Sequence, residues 1–254
     1  MTLTELLIAL VLSSILIAAL YRVFISQHKT STVQDQVADM QQNVRIAIGQ
    51  MTREIRMAGY GGDILAVFGN INGFTNIITP ASNSITVILA DEIGVLKENA
   101  AKGTHQLSVT HAMKFNTDKK KYLCLNGLNN YLIESITGDT IILTTSLTEG
   151  HPINESVYLV KAISYDLGLS GGKTVLRRDE NTGGGAQPLA ENIESLQFTY
   201  FDLNGNVTAN PPDIRMVEVT ATAKTNMFDP EYKGGDGYRR RTLSSHIKVR
   251  NAGI

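Results

Sequence analysis

From Leu6 to Leu20 the chain reads LLIALVLSSILIAAL, a run without charge whose only polar residues are Ser13 and Ser14. With Thr2 to Thr4 before it and Val23 to Ile25 after, it approaches the ~20 residues that a helix needs to span a bilayer. A secretory signal peptide starts basic and ends in a small-residue cleavage site. Here no Lys or Arg precedes Arg22, and the first charge is an acid, Glu5. Because Arg22 and Lys29 follow the run, the positive-inside rule applied directly would leave the remaining chain in the cytoplasm. A basic leader removed ahead of Met1 would reverse that orientation, and such a leader is expected.

Glu5 is the informative residue. An acid in an apolar helix costs roughly 3 kcal/mol at the bilayer centre and less near an interface, so it persists where it has a partner. A free α-amino group from a neighbouring copy or relative is the natural one, reached by a stagger of a few residues between parallel helices. Such a pair offsets the cost of burial and fixes axial register. The alternative is a carboxylate at the membrane surface, solvated by headgroups and water. The residue type alone leaves both readings open.

Beyond the run, Val33, Val37, Met40, Val44, Ile48, Met51, Ile55 and Ala58 recur every three or four residues and form one apolar stripe. Gln34, Asp35, Gln41, Gln42, Arg45, Arg53 and Glu54 are expected on a solvated face. Gly59-Tyr60-Gly61-Gly62 supplies a helix stop. The pattern predicts one helix from about Thr2 to Ala58, roughly 85 Å long, and Gly49 is a point where it could bend. From Asp63 onward the period changes to two. Strands are expected over 84–89, 106–110, 140–144, 156–160, 193–201, 216–223 and 243–249. Turns are expected at Asn126-Gly127, Gly138-Asp139, Gly171-Gly172, Gly183-Gly184-Gly185 and Asn204-Gly205. In 216–223, Val217, Val219, Ala221 and Ala223 share one face, as in a sheet with one side buried. The expected class is α+β: residues 1–25 as the membrane half of a helix, 26–62 as its amphipathic half, and 63–254 as a β-rich extracytoplasmic head.

Met1-Thr2-Leu3-Thr4-Glu5-Leu6-Leu7-Ile8-Ala9-Leu10 resembles the mature N-terminus of type IV pilins and pseudopilins. Arg53 to Tyr60 is similar to the helix end of PilW-type minor pilins. Val157 to Val160, Leu176-Arg177-Arg178, Leu189 to Tyr200, and Arg239 to Leu243 with Val249-Arg250-Asn251 follow the head of that family in order. The likeness is weakest between Asp63 and Glu155. It implies a long helix packed on an antiparallel sheet and a prepilin peptidase that cuts before Met1 and methylates it. It also implies a Glu5 that pairs between subunits. The implied role is non-catalytic: a minor pilin that primes or caps a pilus at its tip. The implied partners are other minor pilins, the major pilin, an inner-membrane assembly platform and a large tip adhesin. J-type pseudopilins of type II secretion share this plan and are the main rival. A membrane-anchored ligand-binding module is the second.

Other chemistry finds little support. The 43% hydrophobic content and a formal net charge of -1 do not suit a nucleic-acid binder, which shows a basic face. The five histidines, His28, His105, His111, His151 and His246, lack metal-ligand spacing, and Cys124 is the only cysteine, so neither a metal, a cofactor nor a catalytic residue is assigned. Cys124 is expected as a small buried hydrophobe. Asp202-Leu203-Asn204-Gly205-Asn206 has the start of a calcium loop but lacks its distal glutamate, so a hairpin turn is expected. Arg239-Arg240-Arg241 is expected as a solvated edge, with an acidic partner as the alternative.

Overall fold

The computed structural model describes residues 2–251. A single helix, α1 (Leu3–Arg56), runs unbroken through Gly49. The chain leaves it through Met57 and Ala58, with Gly59 at φ +79, a left-handed position that glycine adopts without strain. The segment then joins the head directly, Gly59 N–H donating to Ile88 O (2.9 Å) and Ala90 N–H to Tyr60 O (2.8 Å). A short helix, α2 (Ile64–Phe68), follows.

The strands are β1 (Ile78–Pro80), β2 (Ile85–Val95), β3 (Gln106–Ser108), β4 (Tyr122–Leu125), β5 (Asn129–Thr137) and β6 (Thr140–Leu143). They continue with β7 (Ser156–Ser170), β8 (Lys173–Asp179), β9 (Gln187–Glu191), β10 (Ile193–Phe201), β11 (Met216–Lys224) and β12 (Arg240–Lys248). Nine belong to one sheet, ordered β1-β2-β7-β4-β5-β6-β3 with β8 and β9 added beside β7. The other three form a sheet ordered β10-β11-β12. The paired strands run antiparallel. The fold is therefore α+β, a long helix whose second half packs on antiparallel sheet.

Three apolar cores result. The first gathers Met40, Val44, Ala47, Met51 and Ile55 of α1 with Val87, Ile163, Leu196, Val217, Val219, Ala221 and Ile247 from both sheets. The second closes the outer lobe, where Leu107, Leu123, Ile133, Ile141, Leu143, Val157 and Leu159 meet without contribution from α1. The third packs Ile64 and Ile71 on Ile88, Cys124, Val160 and Ala162, on the sheet face turned away from α1. On β11 the expected alternation holds, with Val217, Val219, Ala221 and Ala223 fully buried.

The structure corrects several expectations. Strand β2 runs six residues past Leu89, carried over the bulge between Glu92 and Gly94 by pairing with β7. The last strand starts at Arg240 rather than Leu243 and ends at Lys248. Five strands, β1, β4, β5, β8 and β9, have no counterpart in the sequence pattern. The Asp202 segment is a turn, as expected: its carboxylate accepts from the backbone N–H of Asn204 and Asn206, both at 2.8 Å.

Candidate functional site

Met1 lies outside the described residues. Thr2 caps α1, accepting from Glu5 N–H, while Glu5 Oε2 accepts from Thr2 N–H at 2.8 Å. This reciprocal pair satisfies two of the amides that a helix start leaves without partners. A carboxylate five residues into an apolar chain thus has a local role in starting the helix. Glu5 remains exposed, and one of its oxygens carries the capping bond.

From Leu3 to Ile25 the apolar side chains are bare. Leu3, Leu6, Leu7, Ile8, Leu10, Val11, Leu12, Ile15, Leu16, Ile17, Leu20, Tyr21, Val23, Phe24 and Ile25 are all exposed. They occupy every side of the helix, so this is no amphipathic stripe. By length and composition this half of α1 is able to cross a membrane. No described part of the chain covers it.

The second half of α1 is seated on the head by apolar packing and by one ionic seam. Glu54, expected on the solvated face, is instead buried. It accepts from Tyr165 OH at 2.6 Å and from Gln50 Nε2 at 2.5 Å, and lies 3.0 Å from a terminal nitrogen of Arg178. Arg178 turns its other terminal nitrogen to Glu180 at 2.9 Å. Glu180 accepts from Lys161 Nζ at 2.8 Å, and Lys161 reaches Asp91 at 2.9 Å. The five charges alternate in sign across α1, the end of β8, β7 and β2. They divide the helix-facing side of the sheet into the core beneath α1 and the core of the outer lobe. Burial alone would lower the Arg178 pKa, but Glu54 and then Glu180 outweigh it and raise it further. Tyr165 is pushed up by burial first and then by the Glu54 charge, so it stays a neutral donor.

A sequence signal for Glu54 did exist. Ala47, Met51, Glu54 and Ala58 are spaced four, three and four apart, which puts Glu54 inside the buried stripe. Its partner is 124 residues away, a pairing that local pattern cannot supply.

Cys124 is buried, as expected, and faces Gly61 O at 3.6 Å. Burial pushes its thiol up to about 12. Arg239 pairs with Asp229 (2.9 Å) and Arg240 with Asp236 (2.7 Å) and Glu194 (2.5 Å). The basic run thus meets acids of its own chain, and its first two members are not a free edge. His151 is buried with Nδ1 2.8 Å from Glu155. Among the described residues no group of three or more His, Cys, Asp or Glu is placed to hold a metal ion.

No family model matches the chain. No curated protein matches it either. Among solved structures the chain is similar to a type IV-like pilin from Thermus thermophilus, with 11% identity, a TM-score of 0.36, and coverage of 84% of this chain and 98% of that one.

Proposed function

We propose that this protein is a minor subunit of the type IV pilin class that primes or caps a filament at its tip and works by assembly rather than catalysis. One observation carries the reading. The first half of α1 is apolar and exposed on every side, yet continuous with a half seated firmly on a folded head. Such a helix needs lipid before assembly and an equally apolar bundle of sister helices after it.

In this reading the bacterial inner membrane holds residues 1–25, residues 26–62 carry the head, and 63–254 lie in the periplasm. Glu5 exchanges its capping bond for the methylated α-amino group of a neighbour's first residue, which sets the stagger between subunits. Met1 is the residue that prepilin peptidase exposes and methylates. Other minor pilins, the major pilin, an assembly platform and a large tip adhesin are the partners.

The test is the mass of the N-terminal peptide from native membranes together with a Glu5→Ala strain. An N-methylated Met1, and a Glu5→Ala protein that accumulates in the membrane but not in sheared filaments, support the reading. An unmethylated Met1 that is the translational start, or normal assembly of Glu5→Ala, overturns it. Loss of secreted enzymes with pili intact would instead favour a pseudopilin of type II secretion.

A further inference from the structure

The sheet β10-β11-β12 ends at β12, and no described strand pairs with the far side of that strand. β12 is nine residues long, contains no proline and pairs with β11 without a register shift. The ladder shows which of its backbone groups are engaged. Thr225 N–H donates to Arg239 O at 2.9 Å, and Val249 N–H donates to Arg215 O at 3.0 Å. Backbone groups of successive residues point to opposite edges of a strand, so the odd-numbered residues of β12 face β11. Thr242, Ser244, His246 and Lys248 therefore turn their N–H and C=O groups outward. Among the described residues nothing bonds to these groups.

The strand is fixed in place. Ser244 Oγ lies 2.8 Å from Thr220 Oγ1, and Thr242 Oγ1 lies 2.8 Å from Thr222 Oγ1. Proteins commonly blunt an exposed edge by shortening it, bulging it or placing proline in it, and β12 does none of these. Charge is what it carries instead. Arg241, Lys248 and Arg250 are exposed. Arg239 and Arg240 pair with acids of the chain, whereas these three have no carboxylate partner among the described residues.

The helix adds charge on the same side. Arg250 N–H donates to Arg56 O at 3.2 Å, which ties the end of α1 beside the end of β12. Asn43 and Glu54 turn toward β9 and β8. Arg45 and Arg56 stand two residues on from each, about 200° around the helix, and so flank β12. Both are exposed, and neither has an ion-pair partner among the described residues. A row of free amides and carbonyls admits an extended backbone, and the unpaired cations set the charge that its side chains must carry. A second copy brings the same cations to a basic edge, and like charges opposed across a strand pair are destabilising.

We infer that the free edge of β12 is a strand-addition site for an extended, acidic segment of another protein. That segment pairs backbone to backbone with Thr242, Ser244, His246 and Lys248, and sets its carboxylates against Arg241, Lys248 and Arg250. The inference rests on the head and is independent of whether the first half of α1 lies in lipid.

The probe is a capped octapeptide in which glutamate alternates with valine, compared with the same peptide carrying lysine for glutamate. Amide hydrogen exchange is read by NMR on the full chain in detergent. At about ten times its Kd the acidic peptide should slow exchange of the four outward amides about tenfold, and the lysine peptide should leave them unchanged. His246→Pro removes one outward N–H and no bond to β11. It should abolish the protection while the amides of Val217, Val219 and Ala221 keep their slow exchange. No protection by the acidic peptide up to millimolar concentration overturns the inference and makes the cations a device that keeps the edge unpaired. Equal protection by both peptides overturns the acidic specificity. Protection without peptide, growing with protein concentration, assigns the edge to a second copy and also overturns it.

Discussion

Glu54 on α1 and Arg178 on β8 form a 3.0 Å ion pair across the boundary between helix and sheet, and Tyr165 OH bonds the same carboxylate from a third element. Removing Glu54 leaves the buried Tyr165 hydroxyl without its acceptor and Arg178 with Glu180 alone. Glu54→Ala is expected to destabilise the head by about 2–4 kcal/mol, at or below the usual loss for one half of a buried pair because Arg178 keeps Glu180. Urea unfolding of the detergent-solubilised full chain measures it. The double variant Glu54→Met with Arg178→Leu should recover much of the loss. A single variant as stable as the parent contradicts the seam's structural role.

Acid should loosen the same seam. Burial alone would push the Glu180 carboxyl up, but Lys161 and then Arg178 outweigh it and hold it below the usual range. A depressed native pKa contributes stability that is complete above the unfolded value of about 4.3 and is lost as pH falls through the native one. Lys161→Met removes the first of those offsets, so its acid-unfolding midpoint should lie at higher pH than the parent's. Tyrosine fluorescence against pH follows both. Coincident midpoints would show that Glu180 is not held by Lys161.

Cys124 should be inert while the head is folded. The reactive species is the thiolate, and a thiol pushed up to about 12 supplies almost none at pH 8. Iodoacetamide at that pH is expected to leave the native protein unlabelled and to modify it fully in denaturant, as read by intact mass. Labelling at equal rates in both states would place Cys124 at the surface.

Two glycines should respond in opposite directions. At Gly62, φ is +69 and an added Cβ would sit 2.5 Å from Leu128 O, so Gly62→Ala should cost about 1–3 kcal/mol. At Gly49 a Cβ meets nothing within 4 Å, so Gly49→Ala in mid-helix should stabilise by up to about 1 kcal/mol. Thermal unfolding of both variants decides, and equal shifts of the same sign would contradict the geometry.

Much of this fold is legible in the chain because single-element patterns are strong where burial is one-sided. The α1 stripe and the alternation of β11 are of that kind. Strand β8 reads Lys-Thr-Val-Leu-Arg-Arg-Asp and β9 contains Pro188, so neither looks like sheet until β7 supplies a ladder to β8, and β8 one to β9. For β2, an acid pair and a glycine suggest an early stop, whereas fifteen-residue β7 templates its continuation. Glu54 is expected on the solvated face because an acid beside Arg53 looks solvated, whereas the partners that bury it lie on strands far along the sequence. The site followed the same division. Glu5 stands out within its apolar run, whereas Arg178 and Lys161 show no local pattern and gain meaning from the carboxylates beside them.

The ionic seam leaves the outer lobe with a core of its own, to which α1 contributes no side chain. Substitutions at exposed tips of that lobe, such as Met113 after β3, are accordingly expected to leave the seat of the helix unchanged. A chain built this way can change what it displays without renegotiating how it is anchored.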